Sequence, residues 1–454
     1  MDVRGKTVVV VGLGRSGVAA AGLLLARGAH VVGVDAAPRE KVAAATIALE
    51  ARGAKLHLGG HDAAVFAAAD LVVISPGVPS FPALEAFEQR GGEVIGEMEL
   101  ASRFVTAPIV LIGGTNGKST TTALTAAIFE SAGKKTFIGG NFGTPLAEAV
   151  DEAWDVIVLE ISSFQAERVP TLHARAHALL NITDDHLDRY ASVGAYANAK
   201  GNPFVKMTAD DLAVIPHGDA RCAQQAARGG ARVMTFGTTR SDPVADVLHD
   251  GDQLVHRPLK YAFSQKILRI SGAHNIQNAC AAIALTAHLG APRDAIESGL
   301  AAFTGLDHRS VLAGEIDGVR YYDDSKGTNV GAAVAALRGL TEPRCVLIAG
   351  GRDKLGAYEP LVDALRDRGR ALILLGEAAS RIESAARGIL PIYRVETMRE
   401  AVSAARELAR KGDAVLLSPA CSSFDMFRDY KERGDVFTQA VRDLASVFPE
   451  GGAS

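Results

Sequence analysis

Residues 109–120 read Ile109-Val-Leu-Ile-Gly-Gly-Thr-Asn-Gly-Lys-Ser-Thr120, and the chain is organised around them. Ile109–Ile112 is a short apolar run of the kind that forms a buried strand. Gly113–Gly117 is a glycine-rich loop, and Lys118, Ser119 and Thr120 then open a helical stretch, TTALTAAIFESAG. Strand, glycine loop, Lys-Ser/Thr and helix together hold a nucleotide triphosphate. The glycines admit the phosphates, the amides of Gly114, Thr115, Asn116 and Gly117 form an anion nest, and the helix N-terminus adds positive potential. Lys118 can reach the outer phosphates and the Ser119 hydroxyl can coordinate Mg2+. The usual spacing is G-x-x-x-x-G-K-[ST], but position 112 is Ile. The loop is one residue tighter, unless Gly114 is taken as its start.

A length of 454 residues suggests about three domains. The hydrophobic fraction of 48% supplies ample core, and a net charge of −4 gives no basic field for nucleic acid. The four cysteines form no CxxC pair, which excludes a zinc ribbon and fits a reducing compartment. The N-terminus runs straight into a strand without a signal-peptide pattern, and no apolar run is long enough to span a membrane. A cytoplasmic location is expected.

In the first segment, Thr7–Val11 is a β-branched strand followed by Gly12-Leu-Gly14-Arg15-Ser16-Gly17, a helix, and a second strand ending at Asp35. This is a βαβ unit with G-x-G-x-x-G at its first turn and an acid after its second strand. It fits either a dinucleotide, with Asp35 on a ribose hydroxyl, or the diphosphate and uridine of a larger substrate. Leu71–Ile74 is a further strand, ending in Ser75-Pro-Gly77. Glu93–Glu99 reads as a short strand and crossover, with a domain boundary near 97.

Downstream of the phosphate loop, Thr136–Gly139 leads to Gly140-Asn141, and Val156–Leu159 ends at Glu160. An acid there is placed to hold Mg2+ beside the phosphates. Ala178–Ile182 reads as a strand running into Asn181-Ile-Thr-Asp-Asp-His186, and His186 is a candidate metal ligand. Lys200 falls in a helical stretch. Residues 244–271 read as an antiparallel addition turned at Asp250-Gly251. Asn275 and Asn278 share one helix face, which suits a purine edge.

The last segment alternates strands and helices, so a third parallel sheet is expected. Its strands end in Asp323-Asp324-Ser325-Lys326-Gly-Thr328-Asn329, in Gly350-Gly-Arg-Asp-Lys354, and in Ser418-Pro-Ala-Cys-Ser-Ser423-Phe424. The fold class is α/β with three domains. Residues 1–97 form a Rossmann-like domain, 98–305 a P-loop central domain with a parallel-sheet core, and 306–454 a Rossmann-like C-terminal domain.

GGTNGKST, NITDDH, HNIQN, DHR and DDSKGTN, in this order, resemble the successive motifs of the Mur ligase family over nearly the whole chain. GTNGKS matches the family's tighter loop. The resemblance implies an ATP-dependent ligase that joins an amino acid to a UDP-linked substrate. GLGRSG with Asp35, LEISSFQ and LSPACSSFDMF narrow it to addition of D-glutamate to UDP-N-acetylmuramoyl-L-alanine, and no DNPR-like motif points to another member. It implies that Gly14, Arg15, Ser16, Asp35, Ser75, Gly77 and Asn141 serve the UDP substrate. Lys118, Asn275, Asn278, Arg309 and Asp324 would serve ATP. Ser119 and Glu160 would hold one Mg2+, with a second at His186 and at a carbamate on Lys200. Lys326, Thr328, Lys354, Ser423 and Phe424 would serve D-glutamate. Lys118, His186 and Lys200 are the expected catalytic groups, in a monomer. Two departures stand out: Tyr430 where the family has Phe, and Arg15 where Leu is familiar, which adds a phosphate contact. A nicotinamide enzyme built on GLGRSG, and a regulatory ATP-binding protein, are the competing readings.

Overall fold

The structure, a computed structural model, describes residues 1–187, 189–238, 243–270, 272–353 and 357–447. Three separate sheets follow one another along the chain. The first holds β1 (Thr7–Val11), β2 (His30–Asp35), β3 (Lys55–Leu58), β4 (Leu71–Ile74) and β5 (Val94–Gly96), all parallel, in the order β3-β2-β1-β4-β5. The order reverses between β1 and β4, and a crevice at that reversal is where such sheets take ligands. The glycine turn after β1 and the Ser75 turn after β4 meet there, with Ser75 Oγ donating to Gly12 O at 2.6 Å.

The second sheet comprises β6 (Ile109–Gly113), β7 (Thr136–Gly140), β8 (Val156–Glu160), β9 (Ala176–Leu179), β10 (Leu212–Pro216), β11 (Arg232–Thr238), β12 (Val247–Asp250), β13 (Gln253–His256) and β14 (Tyr261–Ser264). Its order is β14-β13-β12-β11-β10-β9-β6-β8-β7. The strands from β7 through β12 are parallel, and β12–β14 form the antiparallel addition, turned at Gly251-Asp252. β6 and β8 are buried along their whole length, which explains their unbroken apolar runs. Each such side chain contributes about 1.5–3 kcal/mol. The helix Lys118–Ser131 lies over them, and a Cβ at Gly299 would stand 2.6 Å from Ile128 Cα, so the helix Arg293–Ala302 packs very close to it.

The third sheet joins β15 (Val311–Ile316), β16 (Val319–Asp323), β17 (Cys345–Gly350), β18 (Gly369–Leu375), β19 (Ile392–Arg394) and β20 (Ala414–Leu417) in the order β15-β16-β20-β17-β18-β19. Only β15 runs antiparallel. None of the described helices is long and apolar enough to cross a membrane.

Glu93–Glu99 is a short strand and a crossover: β5 ends at Gly96 and the chain becomes helical at Glu97. The buried Glu97 carboxylate accepts from Ala147 N at 2.7 Å, and Glu99 accepts from Leu172 N at 2.8 Å, so both acids face the central domain. β9 ends at Leu179, before the expected Ile182, because Asn181 turns back to the phosphate loop.

Candidate active site

Gly113 closes β6, so the phosphate loop proper is Gly114–Gly117 and the helix starts at Lys118. Gly114 and Gly117 have φ of 138° and 86°. A Cβ on Gly117 would also stand 2.4 Å from Asn278 Oδ1, so glycine is required there. The loop's shape is fixed by Asn181, whose Oδ1 accepts from Thr115 N at 3.1 Å and Asn116 N at 2.8 Å. Its Nδ2 donates to Asn116 O at 3.0 Å. Lys118 Nζ donates to Thr115 O at 2.8 Å.

β8 is the immediate neighbour of β6, with Glu160 in register with Ile112, and this sets the Glu160 carboxylate beside the helix N-terminus. Ser119 Oγ donates to Glu160 Oε2, and Asn141 Nδ2 donates to Oε1 at 2.6 Å. Burial alone would raise the Glu160 pKa. Lys118, the two hydrogen bonds and Arg309 outweigh it and hold the carboxylate below its ordinary value. An ionised, buried carboxylate beside a hydroxyl fits Mg2+, which takes one or two protein oxygens and completes its shell with phosphate and water. Among the described residues no group of three or more His, Cys, Asp or Glu forms a metal cage by itself.

On the other side of β6, the loop after β9 carries His186. Its φ is 55°, its ring packs T-shaped on Phe164 with the ring centres 4.9 Å apart, and its Nε2 lies 3.7 Å from Asp185 Oδ2. Lys200 is 4% exposed. Its Nζ donates to Gly114 O at 2.6 Å and lies 4.6 Å from the Tyr196 ring centre. Burial first, and then the nearby Lys118 charge, push its pKa far below that of a free lysine.

The third domain closes over this edge. Arg309 Nη2 donates to Ser119 Oγ at 2.6 Å. Asn329 Nδ2 donates to Asn116 Oδ1 at 3.0 Å and to Asp185 Oδ2 at 3.3 Å. A cavity of about 220 Å³ lies between the two domains. It is lined by residues 115–120 of the phosphate loop and helix, by Asn141, Glu160, His186, Asn275 and Asn278, and by Arg309, Asp324, Lys326 and Thr328 from the last domain. Asn278 Nδ2 donates to Asn275 Oδ1 at 3.2 Å, and neither caps the helix, which starts at Ala273. Burial lifts the Asp324 pKa to about 7, although Ser418 Oγ donates to it at 2.6 Å and Arg309 is near.

The first domain's residues lie outside this cavity, at their own sheet edge. Both Asp35 oxygens are taken by backbone amides, of Leu13 at 2.7 Å and of Ala37 at 2.8 Å, so Asp35 holds the glycine turn in shape. Arg15, expected on a phosphate, reaches across to Gly143 O at 2.7 Å in the central domain. Gly14 precedes the helix Arg15–Ala26 that also carries Ser16. Ser75 lines a second cavity of about 130 Å³, between the two domains, opposite Phe164 and Arg189, and Gly77 is exposed in the same turn. Ser423 is buried after β20, Phe424 is 65% exposed, and Lys354 lies outside the described residues. Asn181 and Asn329, which join the loops, carry no signal of their own in the sequence beyond their place in NITDDH and DDSKGTN.

Three family models match the chain. The Mur ligase MurD-like N-terminal domain covers residues 6–96, the Mur ligase middle domain 112–286, and the Mur ligase glutamate ligase domain 308–421. The chain is 46% identical to UDP-N-acetylmuramoylalanine–D-glutamate ligase of Syntrophotalea carbinolica, over 97% of this chain and 98% of that one. It is 45% identical to the protein of that name from Geotalea daltonii, over 98% and 99%. Among solved structures, a pseudomurein peptide ligase type C from Methanothermus fervidus superposes with a TM-score of 0.63 at 18% identity, covering 97% of this chain and 100% of that one. UDP-N-acetylmuramate-alanine ligase from Thermotoga maritima superposes at 0.60 with 18% identity, over 97% and 100%.

Proposed function

The chain belongs to the Mur ligase family, and from that premise we propose that it adds D-glutamate to UDP-N-acetylmuramoyl-L-alanine at the expense of ATP, in peptidoglycan precursor synthesis. The observation that carries the reading is the convergence of two domains on one cavity, with the phosphate loop on one wall and Arg309, Asp324, Lys326 and Thr328 on the other. A ligase must bring a nucleotide, a carboxylate and an amine to one point, and a cavity walled by both domains supports that reading.

In this reading the phosphate-loop amides and Lys118 hold the outer phosphates of ATP, and the Asn275–Asn278 face lies against the purine. The alanyl carboxylate attacks the terminal phosphorus, forming an acyl phosphate and releasing ADP. The D-glutamate amine then attacks the acyl carbon and phosphate leaves, so one C–N bond forms and one C–O bond breaks. Most of the rate enhancement comes from positioning and from offsetting the repulsion between anions. Ser119 and Glu160 would hold Mg2+, which supplies charge neutralisation at the phosphates. His186 would serve a second ion. Lys200, buried and with its pKa driven down, would take up carbon dioxide as a carbamate. Lys326 would hold a carboxylate of D-glutamate, and Thr328, Ser423 and Phe424 would complete that subsite together with Lys354. The first domain would hold the UDP part between the Gly12–Ser16 turn and Ser75-Pro-Gly77. We place the protein in the cytoplasm and expect a monomer.

The test is phosphate release from ATP by the purified protein across a panel of amino acids. Release that needs both UDP-N-acetylmuramoyl-L-alanine and D-glutamate supports the proposal. Release with another amino acid and none with D-glutamate overturns it.

A further inference from the structure

Arg433 lies in the helix Tyr430–Val447, outside every motif that the sequence offers, yet it is 2% exposed. A guanidinium is seldom buried without a carboxylate to meet it. Here the three hydrogen bonds it makes among the described residues go to neutral oxygens. Nε donates to Ser325 Oγ at 3.0 Å, Nη2 to Ser325 O at 2.8 Å and Nη1 to Cys421 O at 3.2 Å. Ser325 Oγ passes the bond on to Tyr430 O at 2.7 Å. A Cβ on Gly351 would stand 3.2 Å from Nη1, so the guanidinium also touches the loop after β17. One buried cation therefore joins three strand-end loops of the last sheet.

Those loops carry the groups assigned above to the amino acid. Ser325 precedes Lys326, whose Nζ lies 3.8 Å from the Tyr430 ring centre, and Thr328 follows two residues on. Cys421 precedes Ser422 and Ser423, and Ser422 pairs with Arg352 through backbone bonds of 2.9 and 3.1 Å. Burial lowers the Arg433 pKa to about 10, with Asp425, Asp323 and Asp324 opposing, so the group keeps its charge at neutral pH.

We propose that Arg433 is the positioning residue of the amino-acid subsite. It sets the Lys326–Thr328 loop against the Ser422–Ser423 loop. This rests on the D-glutamate reading given above. The planar fork explains why arginine stands there, since an ammonium cannot span Ser325 and Cys421 with the same geometry.

The experiment compares KM values for D-glutamate, ATP and the UDP substrate in the full-length wild type, Arg433→Met and Arg433→Lys. Arg433→Met is expected to raise the D-glutamate KM about tenfold or more, with the other two within about twofold, and Arg433→Lys to recover part of the loss. Equal rises in all three constants, or an unchanged D-glutamate KM, overturn the proposal. If Arg433→Met does not fold, Ser325→Ala decides: a rise of about threefold confined to D-glutamate supports it, and no rise overturns it. Wild type that uses a different amino acid refutes the D-glutamate reading, and the same comparison with that amino acid then decides the role of Arg433.

Discussion

Arg309 Nη2 donates to Ser119 Oγ across 2.6 Å, and this bond ties the last domain to the phosphate loop of the central one. The hydroxyl that it meets is also bonded to Glu160, so the nucleotide-binding edge and the third domain are one electrostatic unit. Closure of the last domain therefore completes the cavity. Removing a charge-assisted bond of this kind costs about 1.5–3 kcal/mol, or roughly tenfold to a hundredfold in a rate or binding constant. Arg309→Ala should lower kcat/KM for ATP by that factor while the thermal unfolding midpoint changes little. An unchanged kcat/KM would mean that the bond has no part in nucleotide use.

Lys200 gives a chemical prediction. Lys200 is buried beneath Gly114, and burial and the Lys118 charge drive its pKa down, which favours the free amine that carbon dioxide adds to. Depleting bicarbonate should slow the wild-type enzyme and restoring it should recover the rate. Lys200→Ala should lose about tenfold or more in turnover and no longer respond to bicarbonate. Equal rates with and without bicarbonate would remove the carbamate from the account.

Glu97 predicts a pH dependence of stability. Its carboxyl is fully buried at the junction of the first two domains, and burial raises its pKa from 4.5 to about 7 despite the bond from Ala147 N. Between those values the folded protein holds a proton that the unfolded chain has released. The stabilisation is complete below about pH 4.5 and is lost as pH rises through about 7, by up to about 1.4 kcal/mol per unit. Glu97→Gln keeps an acceptor for Ala147 and cannot ionise. Its melting temperature should be flatter than wild type across that window and higher above it. Parallel curves would contradict this.

The parts of the site legible in the sequence are those in which chemistry is local. The phosphate loop, Glu160 at the end of β8 and Asp323–Asn329 at the end of β16 each announce themselves by glycine, hydroxyl or acid after an apolar run. The tight loop was ambiguous only until Gly113 was placed in β6. What escaped the sequence reading depends on distant partners. Nothing near Arg15 shows that it reaches Gly143, and nothing near Asp35 shows that Leu13 and Ala37 bond to its two oxygens. β3, with its exposed Lys55 and His57, lacks the apolar run that marks the central strands. Arg433 looks like a solvated helix residue until the fold buries it against Ser325 and Cys421.

The central claim is that the alanyl carboxylate is activated by phosphoryl transfer and then captured by D-glutamate. Its most direct test labels that carboxylate with heavy oxygen and follows the label by mass spectrometry. The account predicts one labelled oxygen in the released inorganic phosphate and one in the new amide product. Label in AMP, or none in phosphate while product forms, would contradict it.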